Sequence, residues 1–316
     1  MNPSRETREA PGQSLVVCIP TCRRQQLLRE CLASIKRLQV PAGATISVLV
    51  VDNDEAGSAR DAVEEVSAAY PFSIHYFIEA QRGLASVRNR LVKEAVALGA
   101  DYLAFIDDDE QASEEWLSRH IDLLDSHQAD VSCGPVRPVG ASLVVQGKKP
   151  HPTGSVPRHV STNNVVISSK LVSSQGLVFD TFYNFIGGED FDFFERSRDL
   201  GNRHVWCEEA FVEETITAER DNFSYLFYRH YSGGINAVKR FRKKRTTIGA
   251  WLRFMPKAMG KLLGALVYFL LSLLGLRKIP LAIATKKLAS GVGYIAGLLN
   301  VSTARYASDP AEQAKA

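Results

Sequence analysis

The chain has 316 residues, 45% hydrophobic and 23% charged, which is enough apolar material for one large domain or a domain with an appendage. Its net charge of +3 is mild and argues against a nucleic-acid binder, although the charge is unevenly spread. Carboxylate clusters fill the first two thirds, and the densest basic run is Lys239-Arg240-Phe241-Arg242-Lys243-Lys244-Arg245.

Residues 1–13 are polar, mix both charges and lack an apolar h-region, so they read as a disordered tail without a secretory signal. The apolar run Leu15-Val16-Val17-Cys18-Ile19, closed by Pro20-Thr21, predicts a buried strand. Leu27, Leu28, Cys31, Leu32, Ile35 and Leu38 then form one apolar stripe at helical period. Ile46 to Val51 predicts a second strand ending at Asp52-Asn53-Asp54, and Ala59 to Ala69 a helix. A third strand over Ile74 to Ile78, a helix over Leu84 to Ala97 and a fourth strand over Tyr102 to Ile106 follow.

Ser113 is a plausible N-cap, with Glu114 and Glu115 in the first turn of a helix running to about His127. Val131 to Val136 predicts another strand, and Gly140 to Val160, with prolines at 150, 152 and 157, a surface loop. Strands alternating with helices argue for a parallel α/β sheet, whose ligands sit outside the carboxyl ends of the strands. Asp52 and the Asp107–Asp109 cluster both fall at such ends. No G-x-G-x-x-G follows the first strand, and no G-x-x-x-x-G-K-[ST] occurs, which disfavours a dinucleotide dehydrogenase and a P-loop NTPase. The cysteines, Cys18, Cys22, Cys31, Cys133 and Cys207, are odd in number and form no C-x-x-C pair. They read as small reduced core residues of a cytosolic protein rather than zinc ligands or disulfides.

The tail differs in character. Leu262 to Leu276 carries no charge, and a helix of that length spans roughly 22 Å, short of the ~30 Å hydrocarbon core of a bilayer. Leu288 to Val301 is a second uncharged stretch, and Lys257, Lys261, Arg277, Lys278, Lys286 and Lys287 flank the two. Helices lying in or dipping into a membrane interface fit this pattern better than a full span; the alternative is a pair of buried helices packed on the first domain.

Three constellations carry chemistry. In an extended segment Asp107 and Asp109 point to one side and Asp108 to the other, so two carboxylates could share a divalent metal whose shell is completed by phosphate and water. The competing reading is a solvated acidic turn. In Gly187-Gly188-Glu189-Asp190-Phe191-Asp192-Phe193-Phe194, a helix from Glu189 onward would turn Phe191, Phe194 and Leu200 to the core and put Asp190 at the helix start as a general base. A mere dipole preference explains the acids equally well. Arg82-Gly83-Leu84-Ala85-Ser86-Val87-Arg88-Asn89-Arg90 could bind phosphate or position the first carboxylates, or be an exposed basic face.

Taken together, Ile19-Pro20-Thr21, Val51-Asp52-Asn53, Gly83 to Asn89, Phe105 to Glu110, Asn163-Asn164 and Gly188-Glu189-Asp190 resemble the inverting glycosyltransferases of family two, most of all the bacterial succinoglycan-type exopolysaccharide enzymes. The resemblance covers about Leu15 to Gly234. It implies a nucleotide-binding GT-A domain over 14–234, an α/β sheet flanked by helices, followed by a basic linker and membrane-associating C-terminal helices over 235–316.

The resemblance also implies roles. Thr21 and Arg24 would border the nucleotide and Asp52 would hydrogen-bond the uracil ring. Arg88 and Asn89 would flank the diphosphate sugar, with Asp107 and Asp108 also on the nucleotide-sugar side. Asp109, with Asp107, would hold Mg2+ or Mn2+. Asn164 and Glu189 would line the acceptor side, and Asp190 would be the catalytic base. Relatives often carry a histidine after the last core strand as a further metal contact, where this chain has Glu213 and Glu214.

The activity implied is transfer of a hexose, glucose from UDP-glucose, to a lipid-linked saccharide in surface polysaccharide synthesis at the cytoplasmic face of the inner membrane. The basic run at 239–245 would face an anionic membrane surface or serve as a solvated linker. A metal-dependent nucleotidyltransferase would want a glycine- and lysine-rich loop where Cys22-Arg23-Arg24 stands, and a non-catalytic scaffold would need neither Asp107, Asp109 nor Asp190.

Overall fold

The structure, a computed structural model, describes residues 12–140, 151–217, 219–274 and 278–301. Of the expected N-terminal tail only Gly12 and Gln13 fall among them; Arg277 and the 141–150 part of the expected surface loop lie outside the described residues.

In chain order the first elements are β1 (Ser14–Thr21), α1 (Gln25–Ile35), β2 (Thr45–Asp52), α2 (Arg60–Ser67), β3 (Ser73–Ile78), α3 (Leu84–Ala97) and β4 (Tyr102–Ile106). Each matches an apolar run or helical stripe expected from sequence, because side chains buried on both faces of a sheet leave an unmistakable hydrophobic pattern. Next come β5 (Glu110–Ala112), α4 (Trp116–His127), β6 (Val131–Cys133), β7 (Val136–Val139), β8 (Asn164–Ser168) and α5 (Lys170–Ser173). After them follow α6 (Glu189–Asp199), β9 (His204–Trp206), β10 (Val212–Thr215), α7 (Phe223–Lys244), α8 (Thr247–Leu273) and α9 (Lys278–Leu298).

The main sheet has seven strands in the order β3-β2-β1-β4-β8-β6-β9. It is mixed rather than parallel: β8 runs antiparallel to both β4 and β6. A strand order that grows outward from β1 in two directions places a crevice at the carboxyl ends of β1 and β4. Beside it lies a small sheet, β5-β10-β7, in which Glu214 is registered opposite Glu110.

Two local expectations change. The strand expected over Val131 to Val136 is cut at Gly134-Pro135 into β6 and β7, which join different sheets. Ser113 is not the cap of α4, because residues 110–112 are drawn into β5 and the Trp116 N–H bonds back to the Ser113 carbonyl; Glu115 takes the cap position. The cysteines are free thiols, four buried and Cys22 half-buried.

The residues group into two compact units. The first holds the seven-stranded sheet, with one apolar cluster on each face. The second comprises Pro138–Lys149, Phe182–Glu189 and Thr215–Ala316, and its described residues are dominated by α7, α8 and α9. The boundary expected at 234/235 therefore falls inside α7. Gly234 sits there for packing: a Cβ would come within 2.9 Å of the Ser290 carbonyl of α9.

The basic run is likewise no linker but the last turns of α7. Arg242 donates to the carbonyls of Gly297 and Leu298 at the end of α9, and Lys243 lies over the Phe182 and Tyr183 rings. α8 is 27 residues long, longer than its uncharged core suggested, and is long and apolar enough to cross a membrane by length and composition.

Candidate active site

The site starts from the end of β4. After Ile106 the chain turns, and Asp107, Asp108 and Asp109 occupy the turn before β5. The backbone is no longer extended there, so the expected alternation of carboxylates does not hold. Instead the Arg24 guanidinium reaches Asp108 at 3.0 Å and Asp109 at 3.1 Å together. The Thr21 hydroxyl, at the end of β1, donates to the other Asp108 oxygen at 2.8 Å. Thr21, Arg24, Asp108 and Asp109 thus form one assembly at the crevice between β1 and β4.

Arg88 approaches from α3, 3.7 Å from the Asp107 carboxylate. What places it is Asn53. The Asn53 amide donates to the carbonyls of Glu79 and Gln81, and its oxygen accepts from the Gly83 N–H. Gly83 has φ 134°, which a side chain would strain, and starts α3 one turn ahead of Arg88. Arg88 is buried beside Asp107, so this part of the motif is no exposed basic face.

The acids outnumber the cations here. Burial pushes Asp107 up to about 7, helped by Asp109 and Asp108 and opposed by Arg88. A third (33%) of the Asp107 side chain remains open, and solvent moderates that penalty. Asp108 rises to about 6 for the same first reason, against the pull of Arg24. Glu110, fully enclosed, is pushed well above the usual carboxylate range by burial and then by Asp107. One Glu110 oxygen accepts from the Asp107 N–H and the other from the Asn163 amide, so it braces the turn.

Such an all-oxygen, under-neutralised cluster suits a hard divalent cation. Among the described residues no three carboxyl, histidine or cysteine groups converge closely enough to hold a metal alone. Magnesium-type sites ordinarily take one or two carboxylates and complete the shell from substrate phosphate and water, so Asp109 with Asp107 fits that pattern.

Three expected contacts are replaced. Asp52 has no accessible surface. Its oxygens accept from the N–H groups of Asp54 and Ala59 and from the Tyr76 hydroxyl, so it shapes the loop after β2 and cannot meet a base in this conformation. In the same loop Asp54, also buried, pairs with Arg23 at 3.0 Å.

Asn89 is paired in both directions with the backbone of Phe179 at 2.8 Å, which makes it a clasp. Asn164 is buried and saturated: its oxygen accepts from Trp116 Nε1 and His120, and its amide donates to the Pro135 and Ala210 carbonyls. It is a core hub, not a wall of an acceptor cleft. The Trp116–His120–Asn164 network carried no sequence signal, because its partners are remote in the chain.

Asp190 stands in the first turn of α6, half-buried, and accepts from the Phe191 N–H at 2.7 Å. Phe194 faces the core as expected, joined by Phe193, while Phe191 and Leu200, expected in the core, are exposed. Phe193 stacks on Phe179, which meets Phe105 edge-on. This ring series ties the helix of Asp190 to the strand that delivers Asp107, within one compact unit. Glu189 is buried and groups with the second unit.

Comparison with known proteins agrees with this architecture. The profile of glycosyl transferase family 2 matches residues 16–176. The succinoglycan biosynthesis protein ExoM of Rhizobium meliloti (strain 1021) is 31% identical over 235 residues, covering 71% of this chain and 74% of ExoM. Among solved structures, S. aureus TarS 1–349 superposes with TM-score 0.57 at 16% identity, covering 92% of each chain; it has also been solved with UDP and with UDP-GlcNAc. The mannosyltransferase PcManGT from Pyrobaculum calidifontis, in complex with GDP-Man and Mn2+, superposes with TM-score 0.64 at 16% identity, covering 91% of this chain and 88% of PcManGT. These two likenesses are of fold alone, the mixed α/β GT-A arrangement. With the profile spanning half the chain and ExoM matched over most of its length, the protein belongs to glycosyl transferase family 2.

Proposed function

We propose that the protein is an inverting hexosyltransferase that moves glucose from UDP-glucose onto a lipid-linked saccharide in surface or exopolysaccharide synthesis, at the cytoplasmic face of the inner membrane. The observation that carries this reading is the under-neutralised acidic turn Asp107–Asp109 at the carboxyl ends of β1 and β4, joined by Thr21 and Arg24.

Donor binding falls to that assembly. Asp109, with Asp107, would hold Mg2+ or Mn2+, which when bound supplies positive charge beside the diphosphate. Arg88, fixed through Asn53 and Gly83, brings a cation to the same side and orients the sugar diphosphate. Arg24 and Thr21 border the nucleotide. Asp190 accepts the proton of the attacking acceptor hydroxyl, and a single displacement with one base inverts the anomeric carbon. A UDP-sugar donor is supported by the UDP-GlcNAc complex of TarS, a role in exopolysaccharide synthesis by ExoM's place in succinoglycan biosynthesis, and metal dependence by the Mn2+ complex of PcManGT.

The test is incubation with a panel of radiolabelled UDP-sugars, Mn2+ or Mg2+ and native lipid extract. Label should pass from UDP-glucose into the lipid fraction with inverted configuration. Transfer of a nucleotidyl group, or no transfer from any sugar nucleotide, would overturn the proposal.

A further inference from the structure

Ile248, Leu252, Met259, Leu263, Leu266 and Leu270 are all large, apolar and at least half exposed, Leu252 to 75%. At 3.6 residues per turn they fall on one stripe, roughly 60° wide, along the whole of α8. The opposite side of the helix, Ala250, Phe254, Ala258 and Ala265, is buried within the second unit. Arg253, Lys257 and Lys261 recur every fourth residue on the half of the helix turned away from the stripe. No Asp or Glu stands anywhere between Asp221 and Asp309, while Lys and Arg recur throughout. An apolar stripe of this length on a stretch that carries cations and no carboxylate from 222 to 308 is complementary to an anionic lipid leaflet.

Orientation follows from where the cations lie. Lys257 and Lys261 bracket the middle of the 27-residue helix. α9 runs antiparallel beside α8, with Gly291 against Leu262 and Gly264 under the Lys287 stem. The Lys287 ammonium sits over the Tyr268 ring, 5.4 Å away. A helix crossing the bilayer would carry Lys257, Lys261 and Lys287 to hydrocarbon depth, which is strongly unfavourable. A helix lying flat puts the stripe down and keeps these cations on its upper half, out of the hydrocarbon. Building on the membrane location proposed above, we infer that α8 lies in the plane of one anionic leaflet, with its 248–270 stripe immersed and Arg253, Lys257 and Lys261 held above the hydrocarbon on the headgroup side. The basic end of α7, partly consumed by α9 and the aromatic rings of 182–183, is secondary to it.

The test uses the full chain carrying Ile248→Trp, Met259→Trp or Leu270→Trp, with the native tryptophan signal subtracted. Vesicles contain phosphatidylglycerol and lipids brominated at shallow or deep acyl positions. All three positions should be quenched alike and most by shallow bromines. Deep quenching at 259 with shallow quenching at 248 and 270 would mean a crossing helix and overturn the flat orientation, leaving the membrane location intact. Failure of the wild-type chain to sediment with these vesicles would remove both. Concentration-dependent self-association that shields the stripe would assign it to a second copy and overturn the inference. Lys257→Glu/Lys261→Glu, checked for an unchanged melt, should weaken partition onto phosphatidylglycerol vesicles about tenfold and leave neutral vesicles unaffected.

Discussion

The Arg24 guanidinium stands 3.1 Å from the Asp109 carboxylate, inside the turn that ends β4. The protein's own cation therefore offsets charge at the position where the proposed metal ligand lies. The two cations must share or exchange this carboxylate, which makes Arg24 a screen as well as a donor-site residue.

Arg24→Ala should consequently enlarge the rise in Tm produced by Mn2+ in the absence of nucleotide. Thermal unfolding across a Mn2+ titration checks this. An equal rise in both proteins would show that Arg24 does not compete.

Asp109→Ala removes the carboxylate assigned to the metal. UDP binding measured calorimetrically should lose its dependence on Mn2+, falling to the level seen with chelator present. Affinity unchanged in the Mn2+ titration would count against the assignment.

Asp190→Asn keeps the shape of the first turn of α6 and removes the proton acceptor. UDP-sugar affinity should persist while transfer falls by about 10²–10⁴-fold. Turnover at the wild-type rate would remove Asp190 as base.

Asn164→Ala should act on stability rather than on acceptor use. It strands the Trp116 N–H, His120 and two backbone carbonyls in the interior, each such loss costing about 1–3 kcal/mol. The folded variant should keep its KM for acceptor while denaturant unfolding shifts by about 3 kcal/mol or more. A raised KM with unchanged stability would restore Asn164 to the acceptor side.

His120 makes folding sensitive to acid. Its Nε2–H donates to the Asn164 oxygen, and in the neutral ring that burial favours, Nδ1 accepts from the Ser132 hydroxyl. Burial holds its pKa down, from 6.5 to about 4. Below 6.5 the unfolded chain takes up a proton that the native chain refuses until about 4. The stability is thus whole above about pH 6.5 and is lost as pH falls toward 4, by roughly 3 kcal/mol. Asp107 and Asp108, raised rather than lowered, pull the other way as they protonate, so the comparison must be with His120→Gln, which shares them. The stability advantage of wild type over this variant should shrink between pH 7.5 and 4.5; a constant difference would mean the ring is charged in the fold.

Much of the fold could be read from the chain because β1, β2 and β4 are buried on both faces and α1 and α3 carry clean apolar stripes, patterns that are local. β8 escaped because nothing in Asn164–Ser168 announces its direction; only its register against β4 and β6 does. For the same reason the acidic cluster was visible as three letters, whereas its turn was not. Alternation assumed a strand that in fact ends at Ile106.

Residue type and local spacing by themselves determined the β-α alternation and which acids gather at strand ends, and the ordered motifs carried the resemblance to the family. Only the tertiary structure decided which of those polar groups remain available. Asp52, Asn89 and Asn164 are consumed by backbone groups far away in sequence, because a buried amide or carboxylate must be satisfied by whatever the fold brings to it. Thr21, Arg24, Arg88 and Asp107–Asp109 are left facing one another because β1 and β4 are neighbours at the point where the strand order turns.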